Sequence, residues 1–171
     1  RAVAEAVGKF GPIHVLIQGA AGNFLAPAKD LSSNGFKVVV DIDLNGTFHV
    51  MRRAYPHLVR PGASVINISA PQSFVPMRWQ VHVCAAKAGV DQVTRVLALE
   101  WGPEGIRVNS ISPGPIAGTE GVKRLMPGGE DGVALAAKHV PLGRMGEKAD
   151  IANLALFLAS PYAGYMSGAV I

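Results

Sequence analysis

Apolar residues follow two alternating rhythms along the chain. Short unbroken runs, Ile13–Ile17, Val65–Ile68 and Ile106–Ile111, are separated by longer stretches in which apolar positions return at helical spacing. Ala2–Phe10 reads as the last turns of a helix stopped by Gly11-Pro12. Ser32, Ser33 and Asn34 offer N-caps for a long helix from about Gly35 to Leu58. A further helix begins at Gln80 or Val81 and runs to Trp101, where Gly102-Pro103 ends it. A short helix over Glu120–Leu125 precedes the Gly-rich segment Pro127–Gly132, and Pro141–Gly146 leads into a helix over Glu147–Ala159. Tyr162–Ile171 turns into a last strand. Continuously apolar strands alternating with helices predict a parallel sheet covered on both faces: a doubly wound, Rossmann-like α/β architecture.

Composition narrows the function classes. With 49% hydrophobic and 16% charged residues, the 171-residue chain is suited to one domain with a real core. The longest apolar stretch, Ile151–Ala159, is too short to span a bilayer and contains Asn153. The single Cys84 has no internal disulfide partner and sits in an apolar helix segment, where a small buried side chain is the simpler reading than a nucleophile. Net charge is +4, but the basic residues are scattered, and only Arg52-Arg53 and Lys123-Arg124 are adjacent. That argues against nucleic acid; a small polyphosphate ligand and ordinary surface charge explain the excess equally well. His14, His49, His57, His82 and His139 show no metal-ligand spacing, and His82 reads as polar lining near the loop before the second long helix.

In a parallel sheet, ligands bind beyond the carboxyl ends of the strands. The loops there begin at Gln18, Ser69 and Ser112 and are rich in Gly, Asn, Ser and Pro. Lys87 follows the second loop among Ala85, Ala86, Ala88 and Gly89, small neighbours that admit a ligand or another helix. Asp91 lies one turn on and shares its face. As bare helix stabilisation that pair is worth about 0.2–0.5 kcal/mol at best. The Asn23 amide can donate to an oxyanion without titrating, or simply turn the chain after Gly22. Asp43, beside Asp41, reads as a solvated or locally bonded carboxylate.

Ser64–Ala70 (S-V-I-N-I-S-A), a loop and Val83–Asp91 (V-C-A-A-K-A-G-V-D) resemble the core of the short-chain dehydrogenase/reductase family. That family's usual pattern has Ser at the Ala70 position and Tyr at the Val83 position; both are absent while Lys87 remains. The segments L-I-Q-G-A-A-G-N-F-L-A-P, D-I-D-L-N-G-T-F, E-W-G-P-E-G-I-R-V-N-S-I-S-P-G-P-I-A-G-T-E-G and P-L-G-R-M-G are together similar to the 2,4-dienoyl-CoA reductases, most of all the peroxisomal branch. The similarity covers nearly the whole chain.

The resemblance implies NADPH-dependent reduction of 2,4-dienoyl-CoA to 3-enoyl-CoA in unsaturated fatty-acid β-oxidation. It implies a homodimer or homotetramer and a peroxisomal location, or otherwise a cytoplasmic one. Lys87 is expected to meet the nicotinamide ribose, and Asp91 with Lys87 to hold a water that replaces the missing Tyr as proton donor. Asn23 would stabilise the dienolate oxygen, with Asp43 bordering the site. Phe24, Ser32, Ser33, Asn34 and Arg124 match acyl-CoA contacts. The loop Pro113, Gly114, Pro115, Ile116, Ala117, Gly118 and Thr119 matches the segment that wraps the nicotinamide and pyrophosphate. Gln72 stands where the mitochondrial type of reductase places a displaced Tyr, so that substitute is absent too.

Two other readings stay open: a carbonyl reductase with a relocated proton donor, and a truncated, non-catalytic interaction protein using its long helices. The chain reads as the C-terminal two-thirds of one partial domain over residues 1–171, without the Gly-rich turn that usually cradles the pyrophosphate. On that reading the chain by itself is expected to bind NADPH poorly.

Overall fold

Three parallel strands order the molecule. In a computed structural model that describes residues 1–125 and 129–171, β1 (Val15–Gln18), β2 (Ser64–Ile68) and β3 (Arg107–Ile111) lie side by side in that order. Each follows an apolar run of the sequence; α1 (Ala2–Phe10) precedes β1, α2 (Ser33–Val40) and α3 (Gly46–Ala54) connect β1 to β2, and α4 (Val81–Trp101) connects β2 to β3.

Side-chain parity shows how the sheet is covered. Val65 and Val108 join Met51 of α3 and Leu97, Ala98 and Trp101 of α4 in one core cluster. On the same face the Asn67 amide donates to Thr94 Oγ1 at 2.8 Å. The alternate residues point the other way: Ile66 and Ile111 pack on Leu158 of a later helix, α7 (Lys148–Ala159), and the Ser64 hydroxyl donates to Leu158 O at 3.0 Å. The sheet is therefore doubly wound, as the continuous apolar runs predict. Each fully buried aliphatic side chain in these clusters contributes about 1.5–3 kcal/mol. β1 is the edge strand, and Val15 and Ile17 on it are exposed.

The long helix expected from Gly35 to Leu58 is segmented. It starts two residues earlier, at Ser33, because the Ser32 hydroxyl accepts the Gly35 N–H at 3.0 Å and caps it. Asp41–Asn45 then forms a wide π-helical turn before α3, and Tyr55–His57 tightens into a 3₁₀ turn. A close contact on α4 accounts for the π turn's seat. A Cβ on Gly89 would lie 2.8 Å from Leu44 Cδ2, so the glycine lets the π turn press against α4. The small residues around Lys87 thus admit a helix.

α4 ends where Gly102-Pro103 predicts, in a 3₁₀ turn closed by Gly105. With φ at 76° and a Cβ that would fall 2.4 Å from Pro61 Cβ, that position accepts only glycine.

Two expectations are corrected. A helix, α6 (Gly129–Lys138), follows α5 (Glu120–Leu125), so Gly132 lies inside a helix despite its low propensity. Pro127 and Gly128 of the Gly-rich segment lie outside the described residues. Tyr162–Ile171 becomes strand-like only at its end. It opens in the 3₁₀ turn Pro161–Ala163, passes Gly168 at φ 83°, and then runs parallel beside β3: Gly168 N donates to Val108 O, Ser110 N to Ala169 O, Ile171 N to Ser110 O and Ser112 N to Ile171 O.

Candidate active site

A buried ion pair joins the strand ends to the helices. Lys87 Nζ donates to Ile68 O, the last carbonyl of β2, at 3.0 Å and lies 3.4 Å from Asp43 Oδ2. Asp43 comes from the π turn, is fully buried, and uses Oδ1 to accept the Gly22 N–H at 2.7 Å. The loop after β1, the π turn, β2 and α4 therefore converge on one carboxylate and one ammonium. Asp43 is an interior charge, and the solvated reading of that residue is corrected. Its neighbour Asp41 is the exposed one, bonded to Lys37 and Asn45.

Asp91, one turn beyond Lys87, is also buried but takes its hydrogen bond from β3. Ser110 Oγ lies 3.2 Å from both Asp91 Oδ1 and Asn67 O. Its one proton serves either acceptor at a time. The structure thus gives Lys87 a carboxylate partner in Asp43, while Asp91 faces a hydroxyl.

Three amides meet at the start of α4. Gln80 Oε1 accepts from Asn23 Nδ2 at 2.9 Å and from Gln72 Nε2 at 3.0 Å. Gln80 is the N-cap of α4 but leaves the helix N–H groups uncapped by its side chain, because that side chain ties the loops after β1 and β2 together. Asn23 keeps one amide N–H free of Gln80, and its Oδ1 is buried without a partner. Next to it, the Phe24 ring lies 4.5 Å from the fully buried His82 ring. Neither His82 nitrogen has a well-formed hydrogen bond. Burial holds this imidazole below its ordinary value, against the opposing pull of the Phe24 backbone and the Asp43 charge.

Phe24 also reaches the start of α2, where a Cβ on Gly35 would lie 3.3 Å from Phe24 Cζ. This brings the exposed Ser32, Ser33 and Asn34 to the rim beside it. Arg124 is exposed on α5. The Pro113–Thr119 loop is non-helical and is held by a bridge: Ala117 N donates to Gly146 O at 2.8 Å and Gly146 N to Pro115 O at 2.9 Å. Thr119 Oγ1 donates to Ile116 O and accepts from Val122 N, closing the loop onto α5. Ser69 and Ser112, at the carboxyl ends of β2 and β3, have buried hydroxyls with no partner. An open hollow lined by Pro61, Gly105, Arg107 and Tyr165 lies at the other end of β3, away from these groups.

A family model described as "Enoyl-(Acyl carrier protein) reductase" matches residues 1–171. A short-chain dehydrogenase from Bacillus anthracis superposes with a TM-score of 0.87 at 39% identity, covering 99% of this chain and 66% of that one. The chain belongs to the short-chain dehydrogenase/reductase family. Among curated proteins, it is 50% identical over 171 residues to the peroxisomal 2,4-dienoyl-CoA reductase [(3E)-enoyl-CoA-producing] of Pongo abelii, covering 99% of this chain and 58% of that protein. It is 44% identical over 169 residues to the probable 2,4-dienoyl-CoA reductase [(2E)-enoyl-CoA-producing] of Bacillus subtilis, covering 97% and 66% respectively. The chain therefore spans a little over half the length of the first of these relatives.

Within this short-chain dehydrogenase/reductase the usual Tyr position is occupied by core. Val83 is buried with Val39 and Ala86, so nothing at that place supplies or replaces a phenol. Sequence reasoning missed Gln80 as the knot between the two loops and the Gly22 N–H as the partner of Asp43. Gln80 is marked in sequence only as a helix start, and a backbone donor leaves no mark at all. Among the described residues no group of His, Cys, Asp or Glu could hold a metal ion, and no helix is long and apolar enough to cross a membrane.

Proposed function

We propose that this chain carries the reaction centre of an NADPH-dependent 2,4-dienoyl-CoA reductase that forms 3-enoyl-CoA in unsaturated fatty-acid β-oxidation. The carrying observation is the buried Lys87–Asp43 pair beside a position, Val83, that holds no proton donor. The named relatives, at 44–50% identity, support the same substrate class, and several are peroxisomal by name. We read residues 1–171 as one partial Rossmann-like domain of a peroxisomal homodimer or homotetramer.

The residues present fit a nicotinamide cofactor. The Ser69 and Ser112 hydroxyls are buried and unpartnered at the strand ends, and Lys87 has three N–H donors with one committed to Ile68 O. Polar atoms held dry without partners are costly unless a ligand satisfies them. Lys87 would hold the ribose, and the backbone of Pro113–Thr119 the carboxamide and pyrophosphate. When bound, NADPH supplies the hydride that enters the terminus of the diene.

The chain's own groups do the rest. Negative charge moves onto the thioester oxygen, where the free Asn23 N–H donates without titrating. The Gln80 acceptor fixes the plane of that amide, so orientation is settled before substrate arrives. A water held between Lys87 and a carboxylate, Asp91 or Asp43, gives the α-carbon its proton. Phe24 and the Ser32–Asn34 rim receive the acyl-CoA, with Arg124 meeting a CoA phosphate.

The test is NADPH oxidation by the full-length protein with a 2,4-dienoyl-CoA and, in parallel, with a ketone. Turnover of the dienoyl-CoA alone is expected. Turnover of the ketone alone would replace this reading with that of a carbonyl reductase.

A further inference from the structure

Among the described residues, Trp79 is the one non-glycine with a positive φ, at 65°. A bulky side chain in the left-handed region pays a backbone cost that Gly or Asn would avoid. The fold uses the turn itself. Trp79 O accepts the Ala26 N–H at 2.9 Å, and the next residue, Gln80, takes the Asn23 and Gln72 amides. It does not use the indole. The side chain is 56% exposed and belongs to none of the three core clusters. The chain thus keeps a strained, solvent-facing Trp at a turn that glycine would make without strain.

Its surroundings supply a reason. The Ala26 contact ties Trp79 to the loop that carries Asn23 and Phe24, and Phe24 is itself partly exposed. On its own loop Phe74 and Val75 are exposed as well. Apolar side chains left in water on two loops that flank an oxyanion donor suit a ligand that is apolar beyond its carbonyl.

We propose that Trp79 is a specificity-determining residue whose indole packs against the acyl chain beyond the reacting diene, favouring long acyl chains over short ones. The inference rests on the reductase reading above and names its substrate preference.

The experiment compares full-length wild type, Trp79→Gly and Trp79→Phe with 2,4-hexadienoyl-CoA and 2,4-decadienoyl-CoA, following NADPH oxidation and thermal unfolding. Trp79→Gly is expected to raise KM for the decadienoyl ester about tenfold while that for the hexadienoyl ester stays within about twofold. kcat should hold for both esters, Tm should stay level or rise, and Trp79→Phe should keep most of the long-chain preference. Equal KM values for the two esters in wild type, or an equal loss for both in Trp79→Gly, would overturn the assignment. Wild type inactive on both esters refutes the reductase reading and this inference with it. Wild type active with chain-length preference intact in Trp79→Gly refutes the inference alone.

Discussion

Lys87 and Asp43 face each other at 3.4 Å from two different helical segments, with 7% and 0% of their side chains exposed. Neither charge is solvated enough to stand alone, so removing one strands the other in the interior. Asp43→Ala is expected to cost about 3–5 kcal/mol, the usual penalty for stranding a buried charge. Asp43→Asn should cost less, since its amide oxygen still accepts from Gly22, yet turnover should be lost in both. Urea unfolding and steady-state kinetics measure the two effects, and a normal kcat in Asp43→Asn would reduce the pair to a structural role.

Asp91 and Ser110 separate chemistry from packing. If Asp91 helps to hold the proton-donating water, Asp91→Ala should abolish turnover while leaving NADPH affinity unchanged. Ser110→Ala removes the same hydrogen bond from the other side and should retain most activity. Equal losses in the two variants would show that the bond itself, and not the carboxylate, is what matters.

His82 predicts a pH dependence of stability. Burial lowers its pKa from the ordinary 6.5. The unfolded chain therefore binds the proton first as pH falls, and the native state is disfavoured. The stability held above pH 6.5 is lost as pH drops through the lowered folded value and is level beneath it. The urea midpoint should fall between about pH 7.5 and about pH 5.5, and His82→Phe should flatten part of that fall. Because the ring makes no well-formed hydrogen bond, the apolar replacement should cost little at neutral pH. A slope identical in wild type and variant would assign the dependence elsewhere.

Gly89 offers a way to move the site without touching it. An added methyl meets Leu44 at 2.8 Å and pushes the π turn off α4. Overpacking of this kind costs about 1–3 kcal/mol, against which a helical Gly→Ala change returns about 1 kcal/mol. Gly89→Ala should therefore lose little stability but several-fold in kcat, as Asp43 shifts away from Lys87. Adding Leu44→Ala should restore both. A kcat unchanged by Gly89→Ala would show that the Lys87–Asp43 spacing tolerates such movement.

The strands and the three loops at their carboxyl ends are legible in the sequence, because unbroken apolar runs and Gly/Pro-rich breaks come from the same burial that builds a covered parallel sheet. The limits of α4 are legible for a similar reason, in Gln80 and Gly102-Pro103. The π turn is not. D-I-D-L-N carries no mark of a widened turn, which accompanies the contact of Leu44 with Gly89, two segments far apart in sequence. α6 is hidden by Gly129 and Gly132, whose poor helix propensity gives the segment the look of a loop. The Tyr162–Ile171 run is legible only at its end, where Gly168–Ile171 lies along β3, since apolar composition alone does not show where a strand begins. At the candidate site, Lys87, Asn23 and Asp43 stand out through the family resemblance. Their pairing does not, because local spacing sets Lys87 beside Asp91 whereas the fold brings Asp43 to it.

Val39, Asp43, Thr47 and Met51 are all buried, at four-residue intervals through α2, the π turn and α3. In a plain α-helix each such step overshoots a full turn by about 40°, so a four-residue stripe would wind away from the core. The wider π turn takes up that drift and keeps a single side of the rod facing inward. The register of this rod is therefore a matter of length as much as of side chains. Substitutions at the exposed Ile42 or Asn45 leave it intact, while inserting or deleting one residue there turns α2 against α3 by about 100°. Reductases that share this ion pair should accordingly vary in composition along the segment but not in residue count.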